Sequence, residues 1–184
     1  MADHVAYSDI NNIDSLFHEF SQLCTDPAYI AKIDSGIKTW ELLVEGNPAP
    51  DFPFVDMQGN EYRLSDYRGK YVYLDIWATW CGPCKREIPE LEKMQEEYAD
   101  KNIAIISISV DNTPEPWKEM VTANAMKGLQ MYAPDAWKSL VATAYKIRSI
   151  PRFMLVDRDG MIINVRAERP SGNIRERLNK LDGI

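Results

Sequence analysis

The chain has 184 residues, a length at which a single domain is the expectation and about 70% of the unfolded surface can be buried on folding. Its composition, 45% hydrophobic and 27% charged, is that of a globular protein, and no stretch reaches the roughly 18 apolar residues of a membrane span. The formal net charge of -7, from 28 acidic against 21 basic residues with no dense basic block, argues against nucleic acid as a partner, because phosphate binding needs clustered Lys and Arg.

The start, Met1-Ala2-Asp3-His4, is acidic and polar where an export signal needs a basic start and an apolar run. The protein is therefore either cytosolic or begins short of its native start. The first 46 residues read as helical. Ile13, Leu16, Phe17, Phe20, Leu23 and Cys24 recur at helix spacing, and after a break at Asp26-Pro27 a second series runs Ile30, Ile33, Ile37, Trp40 and Val44. Both stripes need a partner surface, and Cys24, lying on the first, reads as a small buried apolar residue. Gly46-Asn47-Pro48-Ala49-Pro50 interrupts the pattern and marks a boundary, giving a helical segment 1–46 and a second unit 47–184.

From residue 51 strands alternate with helices, the pattern of an α/β domain with a mostly parallel sheet. Phe52 to Asp56 and Glu61 to Leu64 flank Met57-Gln58-Gly59-Asn60 and form a hairpin. Tyr71 to Ala78 and Ile103 to Val110 are near-continuous apolar runs, expected as neighbouring central strands covered on both faces. Between them Cys84, Ile88, Leu91, Gln95 and Tyr98 share one helical face. Glu115 to Asn124 and Ala136 to Ala144 supply two further helices. Arg152 to Asp157 and Met161 to Val165 flank an Asp-Gly turn, and a last amphipathic helix carries Ile174, Leu178 and Leu181.

The chemistry concentrates at Trp80-Cys81-Gly82-Pro83-Cys84-Lys85, where a strand gives way to a helix. Cysteines at i and i+3 on a first helical turn have Cα atoms roughly 5 to 6 Å apart, within the range a disulfide tolerates. Cys81 at the helix N-terminus faces unpaired N–H groups and the positive end of the helix dipole, which favour a thiolate, so it reads as the nucleophile. Pro83 suits the first turn, and Cys84, one turn inside, suits resolution of a mixed disulfide. Two other uses of the pair are a static disulfide and half of a zinc site. A bridge closing so short a loop stabilises little. Zinc needs four ligands, and His4, His18 and Cys24 are scattered over the N-terminal segment.

Asp75-Ile76-Trp77-Ala78-Thr79-Trp80-Cys81-Gly82-Pro83-Cys84-Lys85 resembles the active-site segment of thioredoxin, and Ile147-Arg148-Ser149-Ile150-Pro151 resembles the loop bearing that fold's cis-proline. Pro89 matches the proline in the thioredoxin active-site helix. Ala49-Pro50-Asp51-Phe52, the run Leu64 to Lys70 and Cys84-Lys85-Arg86-Glu87-Ile88-Pro89 resemble the TlpA/ResA-like branch of bacterial envelope reductases. The resemblance, from about residue 47 onward, implies a thioredoxin-like α/β fold: a central, mostly parallel or mixed sheet flanked by helices, with an N-terminal β-hairpin, here preceded by an extra helical segment.

It further implies that Asp75 is the buried aspartate that shuttles the proton of the inner cysteine, and that Glu87 is the active-site glutamate of the ResA-like branch. A paired structural acid and a solvated helix face are the plainer alternatives for these two. Trp80, Gly82, Pro83, Ile150 and Pro151 are expected to border the substrate, although Trp77 and Trp80 equally suit core and rim packing. Arg152, where the family usually has threonine, would bring a cation to the cis-proline loop, and Ser149 stands where thioredoxin has glycine. The reaction implied is dithiol-disulfide exchange on a disulfide-containing protein, with an upstream thiol reductant as second partner. The Cys81–Cys84 disulfide itself is the redox group, with no other cofactor and no metal. The Gly-Pro dipeptide matches thioredoxin, a reducing couple at about -270 mV, which favours a reductase. The branch implies the periplasm or cell envelope. A peroxiredoxin-type peroxidase is disfavoured because that family's proline- and threonine-bearing pattern before the cysteine is absent. A binding or chaperone module on the same scaffold is the alternative from another class.

Overall fold

The structure is a computed structural model that describes residues 13–184, without the side chains of residues 13–17 and 35–39. His4 and the side chains of Ile13, Leu16, Phe17 and Ile37 lie outside the described residues. Helices α1 (Ile13–Leu23) and α2 (Pro27–Glu41) meet at the expected break. The Asp26 carboxylate caps α2 by accepting from the backbone N–H of Ala28 at 2.9 Å, and Pro27 occupies the first turn, where its missing N–H costs nothing. The Phe20 ring leans on Tyr29 with centroids 5.9 Å apart. This shallow contact does not close over the stripe: Leu23 stays exposed, and Cys24 is a half-buried free thiol rather than the buried residue expected from its place on the stripe. Trp40 and Leu43 turn into the core of the sheet domain.

Seven strands form one sheet: β1 (Pro53–Val55), β2 (Glu61–Arg63), β3 (Tyr71–Trp77), β4 (Ile103–Ser109), β5 (Leu129–Tyr132), β6 (Arg152–Val156) and β7 (Ile162–Asn164). Their spatial order is β2-β1-β5-β4-β3-β6-β7. The pairs β3–β4 and β4–β5 are parallel and the other four antiparallel, so the sheet is mixed rather than mostly parallel. The hairpin β1–β2 and the expected β3–β4 neighbours are present, the latter paired from Tyr71–Ile103 to Trp77–Ser109. Segment 46–49 runs along β7: Gly46 N–H donates to the Ile162 carbonyl, Ile162 N–H to Asn47, and Ala49 N–H to Gly160, at 2.8 to 2.9 Å.

Every residue of β3 is buried because both faces of the sheet are covered. Val72, Leu74 and Ile76 enter the core on one face. On the other, by strand alternation, lie Tyr71, Tyr73, Asp75 and Trp77. That second face carries α3 (Gly82–Glu97) and α6 (Ile174–Leu178), whose Leu91, Met94, Ile174 and Leu178 pack with Tyr73. The buried side of α3 is Cys84, Glu87, Leu91, Met94 and Tyr98. Ile88 and Gln95, which were expected on that face, are half-buried beside it. The helix is rotated so that Glu87 faces the chain between β7 and α6, where its carboxylate is bonded. α4 (Pro114–Ala123) lies where a helix is expected. The second expected helix, 136–144, is instead a 3-10 turn, Ala136–Lys138, and a short α5 (Leu140–Ala144), separated by Ser139, which caps α5 through its hydroxyl. No helix of the described residues is long and apolar enough to cross a membrane.

Candidate active site

The site grows from the C-terminal end of β3. Beyond Trp77 the chain must turn to enter α3, and a buried acid at the end of the neighbouring strand holds that turn. Asp111 accepts from Thr79 N–H at 3.0 Å, from the Thr79 hydroxyl at 2.8 Å and from the Ser109 hydroxyl at 2.7 Å. Cys81 N–H donates to the Ala78 carbonyl and the Cys81 carbonyl accepts from Lys85 N–H. Cys81 is the N-cap of α3, and its Sγ accepts from Cys84 N–H at 3.1 Å. A side chain in this position meets donors that α3 itself leaves unused, together with the positive end of the helix, an environment that favours sulfur carrying negative charge.

Cys81 and Cys84 are joined in a disulfide with Cα atoms 5.3 Å apart. Residue exposure does not distinguish them, at 4% and 3%, so Cys84 is not the more shielded of the two in this state. The difference lies in the cap: only Cys81 receives the N–H of the first turn. Both pack in an apolar cluster with Trp77, Trp117, Val121 and Tyr132. Ile150 leans on the same cluster from the loop before β6, and its peptide bond to Pro151 is cis.

Two carboxylates lie on the α3 face of the sheet. Asp75 is 6% exposed, next to Ser107 of β4 in the strand pairing. Burial pushes its carboxyl up to about 7; the Ser107 hydroxyl partly offsets this, and the negative charge of Glu87 adds to it. Glu87 is buried too, so the solvated-face alternative for it does not hold. Its carboxylate accepts from Ser171 N–H at 3.1 Å, the Ser171 hydroxyl at 3.0 Å and the Arg169 guanidinium at 3.3 Å. Arg169 and Ser171 carry no motif and lie more than eighty residues away along the chain.

The outer rim is open. Trp80 is 54% exposed and Pro83 is exposed, whereas Trp77 is core. Apart from its chain neighbours and the backbone of its own helix, nothing lies within 4 Å of where a Cβ on Gly82 would stand. Trp137, which sequence reasoning did not single out, brings its ring centroid to 6.0 Å from that of Trp80. Arg152 does not put a cation on this rim. It is buried, and its guanidinium donates to the Val165 carbonyl at 3.5 Å. Lys85 and Arg86 are exposed. Among the described residues no group of three His, Cys, Asp or Glu side chains is placed to hold a metal ion.

Comparison with known proteins agrees with this geometry. The Redoxin family model matches residues 44–181. Thiol-disulfide oxidoreductase ResA of Bacillus thuringiensis subsp. konkukian (strain 97-27) is 30% identical over 140 residues, which span 74% of this chain and 78% of the relative. Thioredoxin-like protein YneN of Bacillus subtilis (strain 168) is 35% identical over 121 residues, 66% of this chain and 70% of that protein. Among solved structures, the thioredoxin domain of a thiol-disulfide oxidoreductase from Bacteroides vulgatus superposes with a TM-score of 0.67 at 30% identity, covering 75% of this chain and 97% of that one.

Proposed function

The chain belongs to the Redoxin family and is a thiol-disulfide oxidoreductase, and from that premise we propose that it is a protein disulfide reductase in which Cys81 attacks and Cys84 resolves. The observation that carries the assignment is the cap: Cys81 Sγ is the sulfur that receives the first-turn N–H of α3. In the reduced enzyme that donor and the helix dipole stabilise a Cys81 thiolate. The thiolate attacks one sulfur of a substrate disulfide, forming an S–S bond as the other substrate sulfur leaves with the electron pair. Asp75, buried on the α3 face, takes the proton from the Cys84 thiol. Cys84 then attacks Cys81, releasing the second substrate sulfur and closing the disulfide seen here. Glu87 contributes charge beside Asp75 from its Arg169 and Ser171 cradle. Trp80, Gly82, Pro83, Ile150 and Pro151 form the surface over which the substrate disulfide approaches.

The electrons are carried by the cysteine pair, so an upstream thiol reductant must return it to the dithiol. The direction rests on the Gly82-Pro83 dipeptide it has in common with thioredoxin. The cell envelope is the proposed location, from the likeness to the TlpA/ResA-like branch, and residues 47–184 are the proposed redox unit behind the helical segment 1–46. The test is catalysed reduction of insulin disulfides by a chemical dithiol. Turnover should be lost in Cys81→Ser; turnover that survives this substitution would remove Cys81 as the nucleophile, and client binding without any turnover in the parent would point to a binding module.

A further inference from the structure

Seven large hydrophobic side chains are exposed among the described residues, and three of them, Trp80, Trp137 and Leu140, belong to the rim of the cysteine site or the turn beside it. The two indoles reach each other from different parts of the chain. Trp80 is carried by the turn that Asp111 holds through Thr79. Trp137 is carried by the 3-10 turn after β5, and the residues before it, Asp135 and Ala136, both have left-handed backbone, at φ 71° and 48°. Two successive non-glycine residues in that region cost free energy, and such conformations persist where the surrounding structure imposes them. Here the result is an indole 41% exposed, set beside another 54% exposed, on the residue adjoining Cys81. Core packing does not account for side chains this open to water.

We propose that Trp137 is a specificity-determining residue, forming with Trp80 a two-indole ledge that takes an apolar side chain next to the target cysteine of a polypeptide disulfide. The proposal rests on the reading of Cys81 as the attacking sulfur and adds the class of substrate to it. The occupant follows from the ledge's position. Cys81 is buried at 4% exposure, so a partner disulfide reaches it only by being laid against the rim, where Trp80 is open to water and Gly82 presents no side chain. A polypeptide with an apolar residue beside its cysteine covers both the sulfur and the indoles. A small, highly polar disulfide leaves the indoles in water.

The test uses the reduced full chain in single-turnover reactions with two cystine-bridged peptides differing only in the residue flanking the target cysteine, leucine in one and aspartate in the other. The readout is the ratio of their rate constants, in which a general loss of activity cancels. The parent should favour the leucine peptide by about three- to tenfold, the range of one aromatic contact. Trp137→Ala should bring the ratio near one, and Trp137→Phe should keep most of it. Leu129→Ala, an equally exposed apolar residue at the far end of β5, should leave it unchanged. A parent without preference, a ratio that survives Trp137→Ala, or one that falls as far in Leu129→Ala would overturn the proposal. Hydroxyethyl disulfide serves as a separate probe in the Cys84→Ser variant, where the mixed disulfide has no internal exit: absence of a Cys81 adduct there would overturn the reading of Cys81 itself, whatever the peptide ratio.

Discussion

Replacing Asp75 by asparagine should stabilise the protein, and by an amount that depends on pH in a specified way. The carboxyl has an ordinary value of 3.8 and stands at about 7 in the fold, chiefly because burial penalises the charged form. Between these two values the unfolded chain has lost the proton while the folded chain keeps it, so stability falls as pH rises from about 4 to about 7 and levels off above. A difference of about three units at 1.36 kcal/mol each amounts to roughly 4 kcal/mol at full extent. Asparagine retains the shape and has no proton to lose. Its advantage should therefore be negligible at pH 4, intermediate at pH 6 and close to the full roughly 4 kcal/mol at pH 8. Urea unfolding of the oxidised parent and variant at those three pH values measures the difference, with contributions common to both cancelling. A gap that does not change with pH, or a variant weaker at pH 8, would refute the reasoning by showing that Asp75 is held ionised. The same substitution removes the proposed base, so stopped-flow measurements near neutral pH should find formation of the Cys81 mixed disulfide little changed and its breakdown at least several-fold slower.

Cys84→Ser should leave the mixed disulfide without an internal exit, and mass spectrometry after incubation with an oxidised protein should find the adduct on Cys81 and not on Cys24. Glu87→Gln removes a like charge beside Asp75, so the pH at which the Asp75 carboxyl titrates, followed by infrared absorption, should move down. That variant also weakens the bonds from Ser171 and Arg169, at a cost of about 1–3 kcal/mol in urea unfolding.

The parts of the site visible in the sequence are those written locally. Cys81, Cys84 and the proline between them sit within one helical turn, and β3 and β4 announce themselves as apolar runs because both faces are covered. Strand β5 does not, because Leu129-Gln130-Met131-Tyr132 is four residues long and is made a strand by β4 on one side and β1 on the other. Glu87 is of a type usually found in water, and its burial depends on Arg169 and Ser171, distant in sequence and unremarkable in type. Asp111 just past a strand looks like any loop acid until Thr79 and Ser109 are seen to converge on it. The helix expected through 136–144 is interrupted at Ser139, whose backbone is extended, and is entered through left-handed backbone at Asp135 and Ala136 that no glycine there signals; Trp137, which meets Trp80, sits between the two. Arg152 is expected to bring a cation to the cis-proline loop, but its guanidinium donates to the Val165 carbonyl across the β6–β7 hairpin, and the Asp-Gly signal that marks the hairpin does not say which way a long side chain will lie.

The strap of residues 46–49 along β7 bears on the company this protein keeps. An open sheet edge, with its row of unpaired backbone N–H and C=O groups, is a template on which other chains add as strands and aggregate. One edge here is β2, three residues long, whose first and last residues, Glu61 and Arg63, are exposed charges. At the other, Gly46, Asn47 and Ala49 have already taken hydrogen-bonding groups of Gly160 and Ile162 that a client strand would seek. With one margin short and charged and the other occupied by its own chain, the sheet leaves little edge on which another chain could add as a strand.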